Sequence, residues 1–148
     1  MKKQFLIFLF SIVLLGCRSD DSEDCGATGF PPAQLSFNLV DASTGENVFS
    51  SGIWQGTDGI TITDIGSAQE LDFELVLLNG NMLLHLQLPY DERDYTYSFR
   101  RNNETVFTIK FTIVSENRQC YVKTSATNIQ VTNAGLEILG NNTVKIAI

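Results

Sequence analysis

The segment LDFELVLLNGNMLLHLQLP, residues 71–89, constrains the fold of this chain more than any other feature. Apolar and other residues alternate on both sides of Asn79-Gly80, as they do in strands that bury one face. Both central residues of a type I′ turn need a positive φ, which Asn and Gly tolerate. The segment therefore predicts a β-hairpin. Its inward side chains would be Leu71, Phe73, Leu75, Leu77, Met82, Leu84, Leu86 and Leu88.

The same period of two recurs along most of the chain after residue 33. It is found in QLSFNLVD, GITITD, YTYSFRR, TVFTIKFTIV, YVKTSATNIQVT, GLEILG and TVKIAI. These runs are short, rich in Thr, Val, Ile, Phe and Tyr, and separated by Gly, Asn and Asp turns. We expect an all-β domain over residues 34–148, an antiparallel β-sandwich of about eight or nine strands. A small barrel is the alternative.

A turn signature supports the sandwich. The stretch LVDASTGENVF, residues 39–49, resembles the opening of transthyretin-like and carboxypeptidase-regulatory-like sandwich modules. The resemblance covers a dozen residues and implies a turn between two strands. An Ig-like or transthyretin-like sandwich is the expectation.

The N-terminus predicts export. After MKKQ comes an uncharged run of eleven residues, FLIFLFSIVLL, which would span about 16 Å as a helix, roughly half a bilayer core. We interpret residues 1–16 as a signal peptide. The following Leu14-Leu15-Gly16-Cys17 resembles the lipobox of bacterial lipoproteins, apart from the bulky Leu15. That resemblance implies lipidation of Cys17 and attachment to the membrane. An ordinary signal peptide with an accidental Cys is the alternative.

An acidic segment follows the lipobox. Asp20, Asp21, Glu23 and Asp24 lie within five residues that contain no apolar side chain, so residues 17–33 should form a solvated tether. CRSDDSED resembles the export signal of surface-exposed lipoproteins of the Bacteroidetes. It implies the outer membrane and its outer surface, with the periplasmic face as the alternative. Loss of Lys2 and Lys3 with the signal peptide would lower the formal net charge of −7 by two, to −9.

Two further cysteines remain. If Cys17 carries lipid, Cys25 and Cys120 form an even pair in an oxidising compartment, and we expect a disulfide between them. Two buried thiols are the alternative.

Composition and motifs argue against several functions. A charge of −7 offers no basic face for nucleic acid. The single histidine, His85, lies by alternation on the outer face of its strand, and no cofactor motif is present. The carboxylate groups Asp41–Glu46 and Asp91–Asp94 lack calcium-ligand spacing, so no metal is expected. An enzyme would need a pocket with convergent polar groups, and the sequence supplies neither a base–nucleophile pair nor ligand spacing; a pocket that holds Asp41, Glu46 and Asp58 would favour that alternative.

Three residues have the character of a binding rim. Trp54 lies in a Gly-rich stretch and could stack on a sugar or insert into a partner, or else close one end of the core. Tyr90 and Arg93 occupy another turn that could share this rim. The sequence thus favours a non-catalytic envelope lipoprotein that binds a protein or glycan. A structural accessory subunit that docks through an edge-like C-terminal strand, TVKIAI, is the alternative.

Overall fold

The computed structural model describes residues 33–117, 122–140 and 142–148, and it contains ten β-strands and no helix over these residues. The predicted signal peptide, the tether apart from Ala33, and all three cysteines lie outside the described residues. The strands are β1 (Gln34–Val40), β2 (Ile60–Asp64), β3 (Gln69–Glu70), β4 (Phe73–Leu78), β5 (Asn81–Gln87), β6 (Asp94–Arg101), β7 (Glu104–Asn117), β8 (Val122–Thr132), β9 (Gly135–Gly140) and β10 (Thr143–Ala147).

The strands form two five-stranded sheets that share one core. The first sheet has the order β4-β5-β1-β10-β9, and the second has the order β3-β2-β6-β7-β8. Phe37 of the first sheet faces Phe107 of the second, with ring centroids 6.5 Å apart. The prediction of an all-β fold is confirmed, and each of the predicted runs forms a strand. The sequence did not indicate β3, which has only two residues.

One strand pair is parallel, which the expectation of an antiparallel sandwich did not include. β1 pairs with β10 in parallel register, from Ser36 opposite Thr143 to Val40 opposite Ala147. β10 therefore lies between β1 and β9, and its side chains Val144 and Ile146 are fully buried. The expectation that TVKIAI forms an edge was wrong. Its alternation is that of a strand in the middle of a sheet, which one sequence does not distinguish from an edge.

The Asn79-Gly80 hairpin is confirmed. Asn79 and Gly80 have φ of 52° and 83°, as a type I′ turn requires, and β4 pairs with β5 from Leu78 opposite Asn81 onward. The predicted burial of its side chains holds only in part. Leu77 points to the core side but is 67% exposed, because β4 lies at the edge of its sheet.

The two ends of the sandwich are distinct. The N-terminal end holds Ala33, whose carbonyl accepts a hydrogen bond from Leu88 N at 2.7 Å. The far end holds the Asn79-Gly80 turn and the loop of residues 41–59, where Ser50 Oγ accepts a hydrogen bond from Met82 N at 3.0 Å. It also holds the last residue, Ile148, which bonds to Val40. Six residues of extended strand separate the two ends along β1, about 20 Å.

Candidate functional site

Trp54 is part of the core rather than of an exposed rim. Its side chain is 8% exposed. The centroid of its ring lies 6.1 Å from that of Phe99, in a stacked arrangement, and 5.6 Å from that of Phe49, edge to face. The guanidinium carbon of Arg101 lies over the Trp54 ring, 4.4 Å from its centroid. This is the core arrangement that the sequence left open as the alternative to binding.

Tyr90 and Arg93 lie at the opposite end of the sandwich from Trp54. Tyr90 is two residues beyond Leu88, which bonds to Ala33, and it is exposed. Arg93 lies 4.6 Å from the centroid of the Tyr95 ring, and its carbonyl accepts a hydrogen bond from Ile113 N. The structure therefore does not bring the three predicted binding residues together.

The Asp41 carboxylate accepts hydrogen bonds from residues of its own turn. Its Oδ1 accepts hydrogen bonds from Ser43 N at 2.9 Å, from Thr44 N at 2.8 Å and from Ser43 Oγ. The hydroxyl of Ser43 and the two amides hold the pKa of Asp41 below its ordinary value. These donors cap a loop, which is a structural role, and the three cavities described below are lined by other residues than Asp41, Glu46 or Asp58.

The carboxylates of residues 91–94 do not converge on one site, because they bond to different partners. Glu92 Oε1 accepts a hydrogen bond from Ser115 N at 2.9 Å, and Asp94 Oδ1 accepts one from Thr112 Oγ1 at 2.7 Å. Within the described ranges, no three side chains of His, Cys, Asp or Glu form a group that could hold a metal ion. That part of the chain also contains no helix of the length and apolar character needed to cross a membrane.

The most unusual surface is the free side of β4. At its far end Leu77 and Leu78 are both exposed, at 67% and 51%. Over the described residues, β4 pairs only with β5. Leu71, just before β4, is joined to the second sheet, since its N–H donates a hydrogen bond to Ile62 O, whereas Leu77 and Leu78 at the other end are left exposed. β4 is thus an apolar edge strand, and no strand among the described residues pairs with the side that faces away from β5.

The hairpin register fixes which backbone groups of β4 are free. The turn places Leu78 and Asn81 in a hydrogen-bonded pair, so hydrogen bonds to β5 come from Leu78, Val76 and Glu74. The N–H and C=O groups of Phe73, Leu75 and Leu77 then face outward. The hydrogen bonds of β5 agree with this assignment. The backbone groups of Met82 point away from β4, because its N–H donates to Ser50 Oγ and its C=O accepts from Asn47 Nδ2.

A surface cavity adjoins the start of this edge. It has a volume of about 300 Å³, and its lining is polar apart from Phe73. The carboxylates of Asp72 and Glu74 give it a negative charge. His85, directly opposite Glu74, has a buried Nε2 that finds no hydrogen-bond partner among the described residues. The lining residues are Gln34, Asp72, Phe73, Glu74, His85 and Gln87.

The sequence contains a signal for this site in the register of the hairpin rather than in any single residue. A two-residue turn at Asn79-Gly80 fixes the register, and that register places Glu74 opposite His85. By contrast, no local pattern in the sequence indicates that Leu77 and Leu78 stay exposed. That depends on strand pairing between distant segments.

The opposite side of the sandwich is closed. There β8 and β9 lie beside each other, and Ala126 N donates a hydrogen bond to Asn142 Oδ1 at 3.2 Å, which joins the two sheets. A cavity of about 370 Å³ between these strands is lined by residues of both, including Ile129 and Ile138. β8 also carries a bulge and a positive φ at Asn128, both of which disrupt pairing at an edge.

A third cavity, of about 360 Å³, lies beside Arg93 and Asp94. It includes Asp64, whose two oxygens accept hydrogen bonds from Gly66 N and Ser67 Oγ, both at 2.9 Å. Like those of Asp41, these hydrogen bonds stabilise a turn.

The comparisons with known proteins give no family. No family model matches the chain, and no curated protein and no solved structure matches it.

Proposed function

We propose that this protein is a lipid-anchored envelope protein that binds a partner without catalysis, through the bare edge of its first sheet. The observation that carries the proposal is the exposure of Leu77 and Leu78 on a strand with one free side. Exposed apolar edges are costly in a monomer, since they invite pairing with other chains. A partner that covers the edge would remove this cost.

The direction of β4 indicates that its exposed end lies away from the proposed membrane anchor. If Cys17 carries lipid, the N-terminal end of the sandwich lies nearest the membrane. β4 runs away from that end, so that Leu77 and Leu78 lie beside the far turn. The seventeen residues from Cys17 to Ala33 reach at most about 55 Å when extended. The edge would therefore be presented to partners at the same envelope surface.

The chemistry of the edge favours a protein over a glycan as the partner. Trp54, the one tryptophan and a candidate platform for sugars, is covered by Arg101 and packed in the core. The edge instead offers backbone groups and leucines, which suit an extended polypeptide. The outer membrane and its surface remain our proposal for the location, with the periplasmic face as the alternative. An Ig-like or transthyretin-like identity for the two-sheet sandwich is likewise part of the proposal.

Cell fractionation and crosslinking test these points. Cys17→Ser should move the protein from the membrane to the soluble fraction, and its persistence in membranes would contradict the lipid anchor. A photoreactive residue placed in turn at positions 77, 90, 114 and 138 of the anchored protein should give an adduct with an envelope protein in intact cells. If no position gives an adduct, the protein does not act as a binding module.

A further inference from the structure

We propose that β4 accepts an extended segment of a partner protein as an additional strand, and that this segment carries a Lys or Arg that reaches Asp72 and Glu74. The inference rests on the proposed function and specifies the chemistry of its partner.

The backbone of β4 defines the shape of the occupant. Phe73, Leu75 and Leu77 direct three N–H and three C=O groups outward at the alternating spacing of a strand. Only another strand can satisfy such a row in full, since its own groups repeat with the same spacing. Other surfaces of a partner would leave part of the row unpaired.

The side chains of β4 define the distal half of the occupant. Leu77 points to the core side and Leu78 to the outer face, and both are more than half exposed. Leu75, on the same side as Leu77, is only partly buried within the core. An added strand with apolar residues on both faces would cover these leucines and extend the core past its present edge.

The cavity at the start of β4 defines the proximal half. Among the described residues, neither Asp72 nor Glu74 forms a salt bridge, and Glu74 receives only a long bond from Gln34 Nε2, at 3.5 Å. Glu74 lies on the outer face of β4, so the residue of an added strand directly opposite it would project over the same cavity. A Lys or Arg at that position neutralises the charge there, and a chain of net charge −7 attracts it.

A second copy of this chain fits the edge less well. Antiparallel pairing of two β4 strands through the outward groups of Phe73, Leu75 and Leu77 would centre on Leu75, and it would place Glu74 of each copy opposite Val76 of the other. Each carboxylate would then have an apolar neighbour and no cation. Two bodies of the same negative charge would also repel each other. The occupant is therefore a segment of a different protein.

Peptide selection tests this inference. The full-length lipoprotein in detergent micelles would be used to select from a library of random twelve-residue peptides displayed on phage. Enriched peptides should share alternating apolar residues and one Lys or Arg. Their affinity would then be compared between the wild type and four variants, namely Leu77→Pro, Leu77→Ala, Glu74→Gln and Ile138→Lys.

The variants distinguish the contribution of the β4 backbone to binding from that of its side chains. The N–H of Leu77 faces outward, so Leu77→Pro removes a docking donor and leaves the β4–β5 hydrogen bonds in place. It should weaken binding about tenfold more than Leu77→Ala, which keeps that donor. Glu74→Gln should weaken binding about threefold at low salt, and less as salt rises. Ile138→Lys, on the opposite edge of the same sheet, should have no effect.

Several results would overturn the inference. These are no enrichment, enriched peptides that lack a basic residue, equal affinities for Leu77→Pro and Leu77→Ala, or a loss of binding in Ile138→Lys. A homodimer in sedimentation that Leu77→Pro dissociates would identify a second copy as the occupant. If position 77 gives an adduct in cells but no strand-like basic peptide is selected, the proposed function stands while the docking of a strand on β4 fails. Adducts from positions other than 77 alone would contradict both.

Discussion

The guanidinium carbon of Arg101 lies over the ring of Trp54, 4.4 Å from its centroid, and the same ring stacks with that of Phe99. Arg101 ends β6, and Trp54 belongs to the long loop after β1, held there by a hydrogen bond from its amide to Val48 O. A cation over an aromatic face is attracted to the ring quadrupole. The pair thus closes the far end of the core, and the loop is attached to the second sheet through it.

Removal of Arg101 should expose the indole. Trp54 is the only tryptophan, so its fluorescence reports this site alone. Arg101→Ala should shift the emission to longer wavelength, increase quenching by acrylamide and lower the free energy of unfolding by about 1 kcal/mol. Lys110→Ala, an exposed change on the same sheet, is the control. Unchanged quenching in Arg101→Ala would show that the guanidinium does not cover Trp54.

Tyr97 should make the fold sensitive to alkali. It is buried opposite Asp64, and its burial, followed by the charge of Asp64, raises its pKa above the ordinary value of about 10. The folded state therefore favours the protonated phenol. Its contribution to stability is complete below pH 10 and is lost as the pH rises through the unfolded pKa toward the higher folded one. The free energy of unfolding of the wild type should fall between pH 10 and 12.

Substitution of the two tyrosines separates this effect from general alkaline damage. Tyr97→Phe removes the titrating group, so its stability should decline less over that pH range than that of the wild type. Tyr90→Phe, at an exposed tyrosine, should follow the wild type. Chemical denaturation at pH 8, 10, 11 and 12 measures both. Parallel declines of all three proteins would contradict the role of Tyr97.

The sequence predicted those parts of the fold that depend on local pattern. The Asn79-Gly80 turn and its register follow from the φ values that only certain residues tolerate. The parallel pairing of β1 with β10 joins segments about a hundred residues apart, and no local signal specifies it. The exposure of Leu77 and the burial of Trp54 depend equally on which distant strand covers each side chain. The candidate site, a strand left uncovered, is thus a property of the whole fold.

The type I′ turn gives a sharp test of the hairpin. A Cβ at Gly80 would meet nothing within 4 Å, so Gly80→Ala adds no clash and its cost comes from the positive φ of 83° alone. The free energy of unfolding should fall by about 1 kcal/mol. Gly66→Ala is the matched control, because Gly66 is not at positive φ and the new methyl would make ordinary contact with Asp64 Oδ1 at 3.4 Å. Equal costs in the two variants would contradict the turn assignment.

The expected disulfide is compatible with the positions of the strands that flank it. Asn142 accepts a hydrogen bond from Ser36 N and, through Oδ1, one from Ala126 N, so β1 and β8 meet at the N-terminal end. Six residues separate Ala126 from Cys120 and eleven separate Cys25 from Ser36, which reach about 20 and 36 Å when extended. These lengths of chain are thus sufficient to allow the expected bond.

A Cys25–Cys120 bond should stabilise the domain, because it closes a loop of nearly a hundred residues. In the chain-entropy model such a loop contributes about 4 to 5 kcal/mol. In the Cys17→Ser background, reductant should lower the unfolding midpoint, and the double variant Cys25→Ser/Cys120→Ser should start at the lower midpoint and not respond. Mass analysis without reductant should show no free thiol in the Cys17→Ser protein. Two free thiols there, or equal midpoints with and without reductant, would contradict the pairing.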